Sequence, residues 1–443
     1  MISIDSLIDA RWVIPVEPRG TVLERQSVAI QHGRILEILP TSEASSRYTP
    51  QYHYRLADAV LIPGLINLHT HAAMALMRGL ADDLSLMAWL NNHIWPTEQK
   101  VVNHKFVFDG SLLACAEMLR AGVTCFNDMY FFPQATAQAV LKARMRATVG
   151  VIVMEFPSTY AGDPEDYLHR GLATRDEYAG EPLLRFSLAP HAPYTVSDKS
   201  FTRVLTLAEQ LNTPIHIHLH ETQDEIQQSL SQYQLRPLAR LAKLGLLGPN
   251  LLAVHAVHCS AAEIALLAQH GCHAVHCPTS NLKLASGFAP VTAFLNGGIN
   301  VGIGTDGAAS NNRLDMLAET RLAALLAKGV SGRAQALPAW QALEMATLNG
   351  ARALGLDSEI GSLLPGKAAD ITAIRLGRIE TTPCFDPVSH LVYAASREHV
   401  SHVWVNGELV LADGHLIHLD TDEISAEATY WQQKISEDER ARS

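Results

Sequence analysis

Between Leu61 and Asp306 the sequence alternates short apolar runs rich in β-branched residues with longer amphipathic stretches. This alternation constrains the fold more than any other feature, because it is typical of parallel strands joined by helical crossovers. Eight such runs can be counted, at Leu61–His69, Val123–Met129, Thr148–Glu155, Leu184–His191, Pro214–Glu221, Leu252–Val257, His273–Thr279 and Asn300–Asp306. Helical patterns accompany them, among them Leu112–Ala121, Ser200–Leu211, Ala261–Gln269 and Asp315–Lys328. Eight strand-helix units over about 250 residues predict an α/β fold, a (β/α)8 TIM barrel, with an open doubly wound sheet as the competing topology.

The two ends of the chain carry a different pattern. Residues 1–60 contain short alternating apolar pieces, and residues 370–416 contain short strands with Asn-Gly and Asp-Gly turns, so both ends predict antiparallel β structure. The simplest arrangement is one small β-sandwich domain built from residues 1–60 and 366–420. The barrel, residues 61–365, is then inserted between them, and residues 421–443 form a C-terminal helix and tail. Two separate β appendages are the alternative.

Composition and charge exclude several classes of protein. The 443 residues are 48% hydrophobic and 18% charged, which is typical of globular proteins and not of disordered ones. The 34 basic residues are outnumbered by 45 acidic ones, for a net charge of −11, and no basic cluster is present, so no nucleic acid or anionic membrane is expected as a partner. No segment approaches the roughly 18 apolar residues of a membrane helix. Six cysteines without a CxxC pair, and an N-terminus without an export signal, predict a cytoplasmic protein.

Histidines stand at the C-terminal ends of two predicted strands, where barrel enzymes carry their catalytic groups. His69 and His71 end the first run, and because alternate residues of a strand share a face, both rings can approach one ion. The fifth run, IHIHLHE, offers either His218 or His220 as a further ligand, and the spacing alone does not decide between them. His216, earlier in the same run, is predicted to be a structural histidine deeper in the barrel.

Acids and a further histidine follow other strands. Glu221 begins the loop after the fifth run, where a carboxylate can meet a substrate and move a proton. His255 lies near the end of the sixth run, and Asp306 ends the eighth beside two glycines that leave room for a ligand. Two or three histidines with one carboxylate and an open position suit a catalytic zinc or iron site, and zinc makes water ionise near neutral pH, so the pattern predicts metal-assisted hydrolysis. The fourth run ends LAPH, without the lysine that two-metal barrels often carbamylate, so one divalent metal per subunit is expected.

The sequence resembles the amidohydrolase superfamily in five segments, which are PGLINLHTHAAMALMRGLADDLSLMAWL, IHIHLHET, HCPTSNLKLASG, GTDGAASNN and GSLLPGKAADI. Within that superfamily it is most similar to the 5′-methylthioadenosine/S-adenosylhomocysteine deaminase branch, which lies beside the triazine chlorohydrolases and guanine deaminases. The resemblance covers nearly the whole chain. It implies a (β/α)8 barrel, a small β-sandwich from both termini, one divalent metal, usually zinc, and a homo-oligomer, either a dimer or a tetramer.

The resemblance also implies a set of metal ligands. The HTH motif corresponds to His69 and His71, and the HxxET motif selects His218 and not His220 as the third histidine. Asp306 of GTDG completes the set and is further implied to help deprotonate the attacking water.

Catalytic and substrate-binding roles are implied in the same way. Glu221 of HxxET resembles the proton donor to the purine ring nitrogen, and His255 resembles the group that orients the attacking water. Glu98, in WLNNHIWPTEQK, matches the acid that holds the ribose hydroxyls, and His191 of APHAPY matches a substrate contact. Trp89 either walls the pocket or packs in the core.

These features together predict metal-dependent hydrolytic deamination of a 6-aminopurine nucleoside. The best candidate is 5′-methylthioadenosine, converted to 5′-methylthioinosine and ammonia, with adenosine and S-adenosylhomocysteine as further candidates. Relatives that accept the homocysteine group often carry an arginine near the end of the third strand, where this chain has Val151 and apolar neighbours, which favours the smaller methylthio group. A second departure is His220, which replaces the tyrosine that many relatives have before the glutamate. The alternatives are a deaminase or chlorohydrolase of another heterocycle, such as guanine or a triazine, and a non-catalytic amidohydrolase-like scaffold.

Overall fold

The computed structural model describes the backbone of residues 1–442 and the side chains of residues 1–437. Ser443, the last residue of the predicted tail, lies outside the described residues. The strands, in chain order, are β1 (Ile2–Val13), β2 (Leu23–Gln31), β3 (Arg34–Pro40), β4 (Tyr48–Pro63), β5 (Leu65–Thr70), β6 (Val123–Tyr130), β7 (Arg146–Val153), β8 (Leu184–Pro190), β9 (Ile215–Leu219), β10 (Leu251–His255), β11 (His273–His276), β12 (Asn300–Ile303), β13 (Ile371–Arg375), β14 (Val400–Val405), β15 (Glu408–Ala412) and β16 (His415–Leu416).

The α-helices connect and flank these strands. They are α1 (Thr41–Arg47), α2 (Leu86–Trp89), α3 (Trp95–Val101), α4 (His104–Arg120), α5 (Pro133–Ala143), α6 (Pro164–Glu177), α7 (Asp198–Leu211), α8 (Gln223–Tyr233), α9 (Pro237–Lys243), α10 (Ala261–Gln269), α11 (Pro278–Lys283), α12 (Val291–Asn296), α13 (Ala308–Asn311), α14 (Met316–Ser331), α15 (Ala339–Met345), α16 (Leu348–Ala353), α17 (Pro387–Tyr393) and α18 (Thr421–Arg442). Short 3₁₀ turns lie at Ala72–Met77, Ile379–Thr381 and Arg397–His399, and a π-helical turn lies at Leu90–Ile94.

Strands β5 to β12 form a nearly closed parallel barrel, in which neighbours in the sheet are also neighbours in the chain. The backbone N–H of Asp306, after β12, donates to the carbonyl of His69 on β5 at 2.9 Å, which ties the last strand to the first. The predicted (β/α)8 barrel is therefore confirmed, and the alternative of an open doubly wound sheet is wrong.

The barrel helices begin where side chains satisfy the first backbone N–H groups. Asp163 caps α6, Ser197 caps α7, and Ser260 caps α10, where it forms a capping box with Glu263. Such caps satisfy donors that otherwise lack a partner in the first turn. The predicted helix at Ala261–Gln269 has the same bounds in the structure.

The first predicted run, Leu61–His69, is two strands and not one. Leu61–Pro63 ends β4, and β5 begins at Leu65, with Gly64 between them. A Cβ atom on Gly64 would lie 2.0 Å from the Thr124 hydroxyl oxygen. The glycine therefore allows the chain to leave one sheet and enter the next in close contact with β6.

The other sheet has eight strands in the order β16-β15-β14-β13-β4-β1-β2-β3, so strands from both ends of the chain share it. Most of its pairs are antiparallel, as predicted, but β1 and β4 are parallel, with Ser3 opposite Thr49. The reason is the connection through α1, which brings β4 to the other side of β1 from β2. Buried side chains on this sheet form a core that includes Val28, Leu61 and Trp404.

The chain divides into two compact units. One comprises Met1–Asn67, Glu117–Cys125 and Asp315–His418, and the other comprises Leu68–Ala116, Phe126–Leu314 and the segment from Leu419 onward. The domain boundaries drawn from the sequence remain predictions. No helix within residues 1–442 is both long and apolar enough to span a bilayer.

Candidate active site

Three histidines and one aspartate converge at the C-terminal ends of the barrel strands. His69 lies on β5, His71 directly follows it, His218 lies on β9, and Asp306 follows β12. Asp306 Oδ1 is 3.3 Å from Nε2 of His69 and 3.3 Å from Nε2 of His71. The Nε2 atoms of His71 and His218 are also 3.3 Å apart. The structure thus brings together four of the residues that the sequence predicted as ligands.

The ring nitrogens that face this cluster are the Nε2 atoms. Nδ1 of His71 donates to the carbonyl of Met129 at 2.5 Å, and Nδ1 of His218 donates to the carbonyl of His191 at 2.7 Å. In a neutral imidazole the one N–H is then on Nδ1, and Nε2 presents a lone pair. Burial, followed by the neighbouring imidazoles, holds the pKa of His218 well below its usual range, which keeps this ring neutral.

His69 is fully buried, and its Nε2 has no hydrogen bond of acceptable geometry among the described side chains. Burial lowers its pKa to about 4, although Asp306 opposes the shift. Its Nδ1 lies 2.8 Å from Nε2 of His216, and its Nε2 faces the cluster, 3.3 Å from Asp306 Oδ1.

Asp306 is held in its ionised form by several donors. Ser280 and Ser310 donate to Oδ2 at 2.6 and 2.8 Å, and the backbone N–H of Gly307 donates to Oδ1 at 2.7 Å. Burial raises the pKa of Asp306, but the contact with His69 and the nearby imidazoles outweigh it and hold the pKa well below its usual value. Its Oδ1 therefore adds a negative charge to the converging lone pairs.

A divalent cation is the partner that these atoms fit. Lone pairs 3.3 Å apart repel each other unless a positive charge lies between them. Ligand atoms about 2.0–2.1 Å from a zinc ion lie roughly 3 Å from one another. The ligand atoms of His69, His71 and Asp306 all lie within 4.8 Å of one another, as do those of His69, His218 and His255. The cluster is therefore built for a metal of the zinc type.

His255 and Glu221 lie beside this cluster. His255 ends β10, and its Nδ1 donates to Asn281 Oδ1 at 2.8 Å, so Nε2 points toward Glu221 Oε2 at 3.8 Å. Burial lowers the pKa of His255, but the carboxylates of Glu221 and Asp306 outweigh it and raise the pKa above its usual value. Burial raises the pKa of Glu221, so this carboxyl can hold a proton closer to neutral pH than a solvated glutamate can.

The loop that carries Glu221 is held in place by a second buried acid. Glu225 accepts the backbone N–H groups of His220 and Glu221 at 2.9 and 2.8 Å, and the hydroxyl of Ser286 lies 3.4 Å from Glu221 Oε1. His220 itself points away from the cluster, because its Nε2 accepts the backbone N–H of Leu238 at 3.0 Å. The choice between His218 and His220, which spacing left open, is thus decided by the barrel in favour of His218.

A pocket of about 660 Å³ opens onto these residues. Its walls are mainly apolar, with Met74, Leu86, Trp89, Ile94 and Trp95 among them, and His191 also lines it. Trp89 both lines the pocket and belongs to the buried apolar cluster around it, so its two predicted locations are compatible.

Glu98 lines the same pocket from α3. The Tyr130 hydroxyl donates to Glu98 Oε1 at 2.6 Å. Burial raises the pKa of Glu98 to about 7, and the hydrogen bond from Tyr130 opposes that rise. The pocket thus carries one acid beside the metal-binding cluster, Glu221, and a separate acid, Glu98.

His191 is neutral and fixed in one tautomer. Burial, followed by the neighbouring imidazoles of His71 and His69, lowers its pKa to about 3. The Thr195 hydroxyl, 3.0 Å from Nδ1 of His191, also donates to the carbonyl of Ala192 at 3.1 Å. With its one hydrogen used there, Thr195 accepts from Nδ1, so Nε2 of His191 is an acceptor in the pocket.

Several residues of the site were not identified from the sequence. They are Tyr130, Thr195, Glu225, Ser280, Asn281, Ser286 and Ser310, and each contacts a predicted site residue or its backbone. Ser280 and Asn281 lie in HCPTSNLKLASG, and Ser310 lies in GTDGAASNN. Those segments pointed to the family, but their spacing gave no sign of which side chain each residue would meet.

The Gly304→Ala substitution is expected to displace His69, one of the proposed metal ligands. A Cβ atom on Gly304 would lie 2.8 Å from both the Cβ and the backbone nitrogen of His69. Because backbone cannot move aside as a flexible side chain can, we expect His69 to shift, with a loss of about 1–3 kcal/mol of stability and a lower bound-metal content. Thermal unfolding and metal analysis of the purified protein measure both effects. Gly329→Ala in α14 is the matched control, since nothing lies within 4 Å of its added Cβ, and unchanged metal content in Gly304→Ala would contradict the expectation.

Comparison with known proteins agrees with the geometry. The model of the amidohydrolase family matches residues 60–410. A protein of Saccharophagus degradans named 5-methylthioadenosine/S-adenosylhomocysteine deaminase is 48% identical over 431 residues, which cover 97% of each chain. The crystal structure of an adenosine deaminase from Xanthomonas campestris with bound zinc is 47% identical, covers 98% of this chain and 99% of that one, and superimposes with a TM-score of 0.97. The atrazine chlorohydrolase of Arthrobacter aurescens, at 24% identity and a TM-score of 0.90 over 96% of this chain and all of that one, shares the fold.

Proposed function

The chain belongs to the amidohydrolase family, and we propose that it is a zinc-dependent deaminase of 6-aminopurine nucleosides, acting best on 5′-methylthioadenosine and releasing ammonia. The observation that carries the proposal is the convergence of three imidazole nitrogens and one carboxylate oxygen beside the buried carboxyl of Glu221. The named relative and the zinc-bound structure support the substrate class and the metal.

His69, His71, His218 and Asp306 would hold the ion. A zinc ion in that position acts as a Lewis acid that makes a water molecule a nucleophile near neutral pH. The protein contributes a rigid set of ligands, because His71 and His218 are oriented by backbone carbonyls and Asp306 by two serine hydroxyls.

Glu221 is the proposed proton donor to N1 of the purine. Burial raises its pKa, which favours the protonated carboxyl that can give a proton to the ring as C6 is attacked. Protonation at N1 neutralises the negative charge that attack pushes into the ring, and a group that acts on developing charge accelerates the reaction more than it strengthens binding. The hydrogen bonds of Glu225 to the loop hold this carboxyl in place.

His255 and Asp306 are the proposed partners of the attacking water. Nε2 of His255 faces the space between Glu221 and the cluster, at 3.8 Å from Glu221 Oε2, so it can orient a water molecule there. Asp306 directs Oδ1 at the cluster, with Oδ2 held by two serines, so its carboxylate lies beside the water from which it is proposed to accept a proton. That proton is passed on to the departing amine, which leaves as ammonia.

Glu98 is the proposed acceptor of the ribose hydroxyl hydrogens. Tyr130 occupies one side of Oε1, which leaves Oε2 and the remaining lone pair of Oε1 for the sugar. His191, with an accepting Nε2, is a further polar contact in a pocket whose walls are otherwise mostly apolar. Trp89 and Trp95 supply flat apolar surface against which a purine can stack.

The direct test is a substrate screen with purified, zinc-loaded protein. Ammonia release is measured from 5′-methylthioadenosine, adenosine, S-adenosylhomocysteine and guanine, and chloride release from a chlorotriazine. We expect the highest kcat/KM for 5′-methylthioadenosine. Activity confined to guanine or the triazine would assign the chain to another heterocycle, and a protein that binds zinc but converts none of the five would be a scaffold without catalysis.

Glu98→Gln is expected to reduce kcat/KM for nucleosides about 10- to 100-fold, because a charge-assisted hydrogen bond to the sugar is lost. In the wild type, the pKa of Glu98, about 7, makes the carboxyl mostly protonated below that pH and mostly ionised above it. Only the ionised form accepts at both oxygens, so kcat/KM for nucleosides should rise as the pH passes through about 7.

The control for this variant is adenine, the free base without ribose. Its conversion should be slow in both proteins and nearly independent of Glu98. An equal loss for adenine and for 5′-methylthioadenosine would show that Glu98 supports the pocket and does not bind ribose.

A further inference from the structure

We propose that His216, which the family resemblance did not assign a role, is a positioning residue for the metal, because it accepts the Nδ1 hydrogen of His69 and so fixes that ring as a ligand. The inference rests on the metal site proposed above. His216 lies on β9, two residues before His218, and is fully buried, as is His69. The two rings stand nearly perpendicular, with centroids 4.9 Å apart and planes at 80°.

The direction of the hydrogen bond follows from the cluster. Nδ1 of His69 and Nε2 of His216 are 2.8 Å apart, a distance at which one nitrogen carries the hydrogen and the other the lone pair. Nε2 of His69 faces Asp306 Oδ1 and must present a lone pair to bind a cation. Its hydrogen is therefore on Nδ1, and Nε2 of His216 is the acceptor.

His69 differs in this respect from the other two histidines of the cluster. His71 and His218 donate to the backbone carbonyls of Met129 on β6 and of His191 directly after β8, which are present whatever side chains those positions carry. His69 donates to the side chain of His216, so a substitution of His216 removes the acceptor that fixes the orientation of the His69 ring. A metal-binding histidine whose outer N–H has a fixed acceptor keeps its ring orientation and its tautomer.

Water cannot readily replace His216, since neither ring is exposed to solvent. Without an acceptor, His69 either buries an N–H that has no partner or moves its hydrogen to Nε2, which then cannot bind a metal. A neutral His216 also adds no negative charge near the ion. Among the four proposed ligands, the negative charge then comes from Asp306.

The test compares substitutions of His216 that differ in whether they can accept. His216→Gln places an amide oxygen near the position of the imidazole Nε2, whereas His216→Met fills a similar volume without a strong acceptor. Zinc dissociation constants are measured by competition with a chromophoric chelator, starting from the zinc-loaded protein. We expect His216→Met to weaken zinc binding about 10- to 100-fold and His216→Gln to stay within about threefold of the wild type, because its oxygen accepts from His69.

Two further readouts separate positioning from packing. The melting temperatures of the variants in excess chelator report the fold without metal, and the rise on adding zinc reports metal affinity. The cobalt-substituted protein reports ligand geometry through its visible absorption, which should change in His216→Met and not in His216→Gln. His216→Asn, whose amide is one methylene too short to reach His69, is a second variant without an acceptor should His216→Met fail to fold.

His276→Met is the matched control, because His276 is also a buried histidine on a barrel strand, β11, but does not line the pocket. It should leave zinc affinity within about threefold of the wild type. Equal weakening in His216→Gln and His216→Met, or no weakening in any variant of His216, overturns the positioning role. If the wild-type protein takes up no zinc, the proposed metal site is wrong, and the role of His216 is wrong with it. The zinc affinity of the wild type alone separates this outcome from the two that concern His216.

Discussion

Replacing Glu221 by glutamine is expected to lower kcat for 5′-methylthioadenosine by a factor of about 10²–10⁴ while KM and zinc content change little. The amide has nearly the shape of the carboxyl but cannot give a proton to N1. Attack at C6 must then push negative charge into a ring that stays unprotonated, and this cost appears in the transition state and not in the bound substrate. Glu221 belongs to neither of the clusters whose ligand atoms lie close enough together to hold a metal ion, so metal binding should persist.

Steady-state kinetics and metal analysis on the same preparation check this expectation. Glu209→Gln makes the same change at an exposed position of α7 and should behave like the wild type. If Glu221→Gln kept near-normal kcat with zinc bound, another group would have to protonate the ring. If it instead lost zinc, Glu221 would be a ligand, and the assignment of the cluster would need to change.

Replacing Asp306 by asparagine is expected to abolish both metal binding and activity. The carboxylate oxygen lies 3.3 Å from the Nε2 atoms of His69 and His71. In Asp306→Asn the amide oxygen can still accept from Ser280 and Ser310, while the amide N–H groups can turn toward those imidazoles and donate to their lone pairs. The imidazole nitrogens then have hydrogen-bond donors in place of a cation, and the negative charge that favours a cation is gone.

The measurable consequence is a change in how the protein responds to a chelator. Wild-type protein should contain about one zinc per chain and should melt at a lower temperature once the metal is removed, since a ligand that binds only the folded state stabilises it. Asp306→Asn should purify with little zinc and melt at a temperature that chelator does not change, with kcat reduced at least about 10³-fold. Equimolar zinc in this variant would sink the proposed ligand set.

Most of the barrel could be predicted from local patterns, and the exceptions have physical reasons. In the run Leu61–His69 apolar residues lie on both sides of Gly64, so no change of period marks the point where β4 ends and β5 begins. Similarly, the N-terminal strands alternate whether they pair parallel or antiparallel. The parallel pairing of β1 with β4 depends on the path through α1 and not on the strands' own side chains.

The residues that converge in the site could be predicted from the sequence, but the residues that hold them in place could not. His69 and His71 were identifiable because a two-residue spacing on a strand puts both rings on one face. The same rule could not choose between His218 and His220, since both share that face. The choice depends on Leu238, whose backbone N–H turns His220 away from the barrel mouth, and Leu238 belongs to a separate helix.

The sequence by itself determined that this protein is built of strand-helix units with histidines and acids at the strand ends, because apolar periodicity and strand alternation act within a few residues of the chain. The tertiary structure alone decided that the eight strands close into a barrel and which partners those histidines and acids meet. His216 meets His69 across 147 residues, Tyr130 meets Glu98 across 32, and Ser280 meets Asp306 across 26. Hydrogen bonds need partners within about 3 Å and in line, and only the closure of the barrel brings these side chains that close.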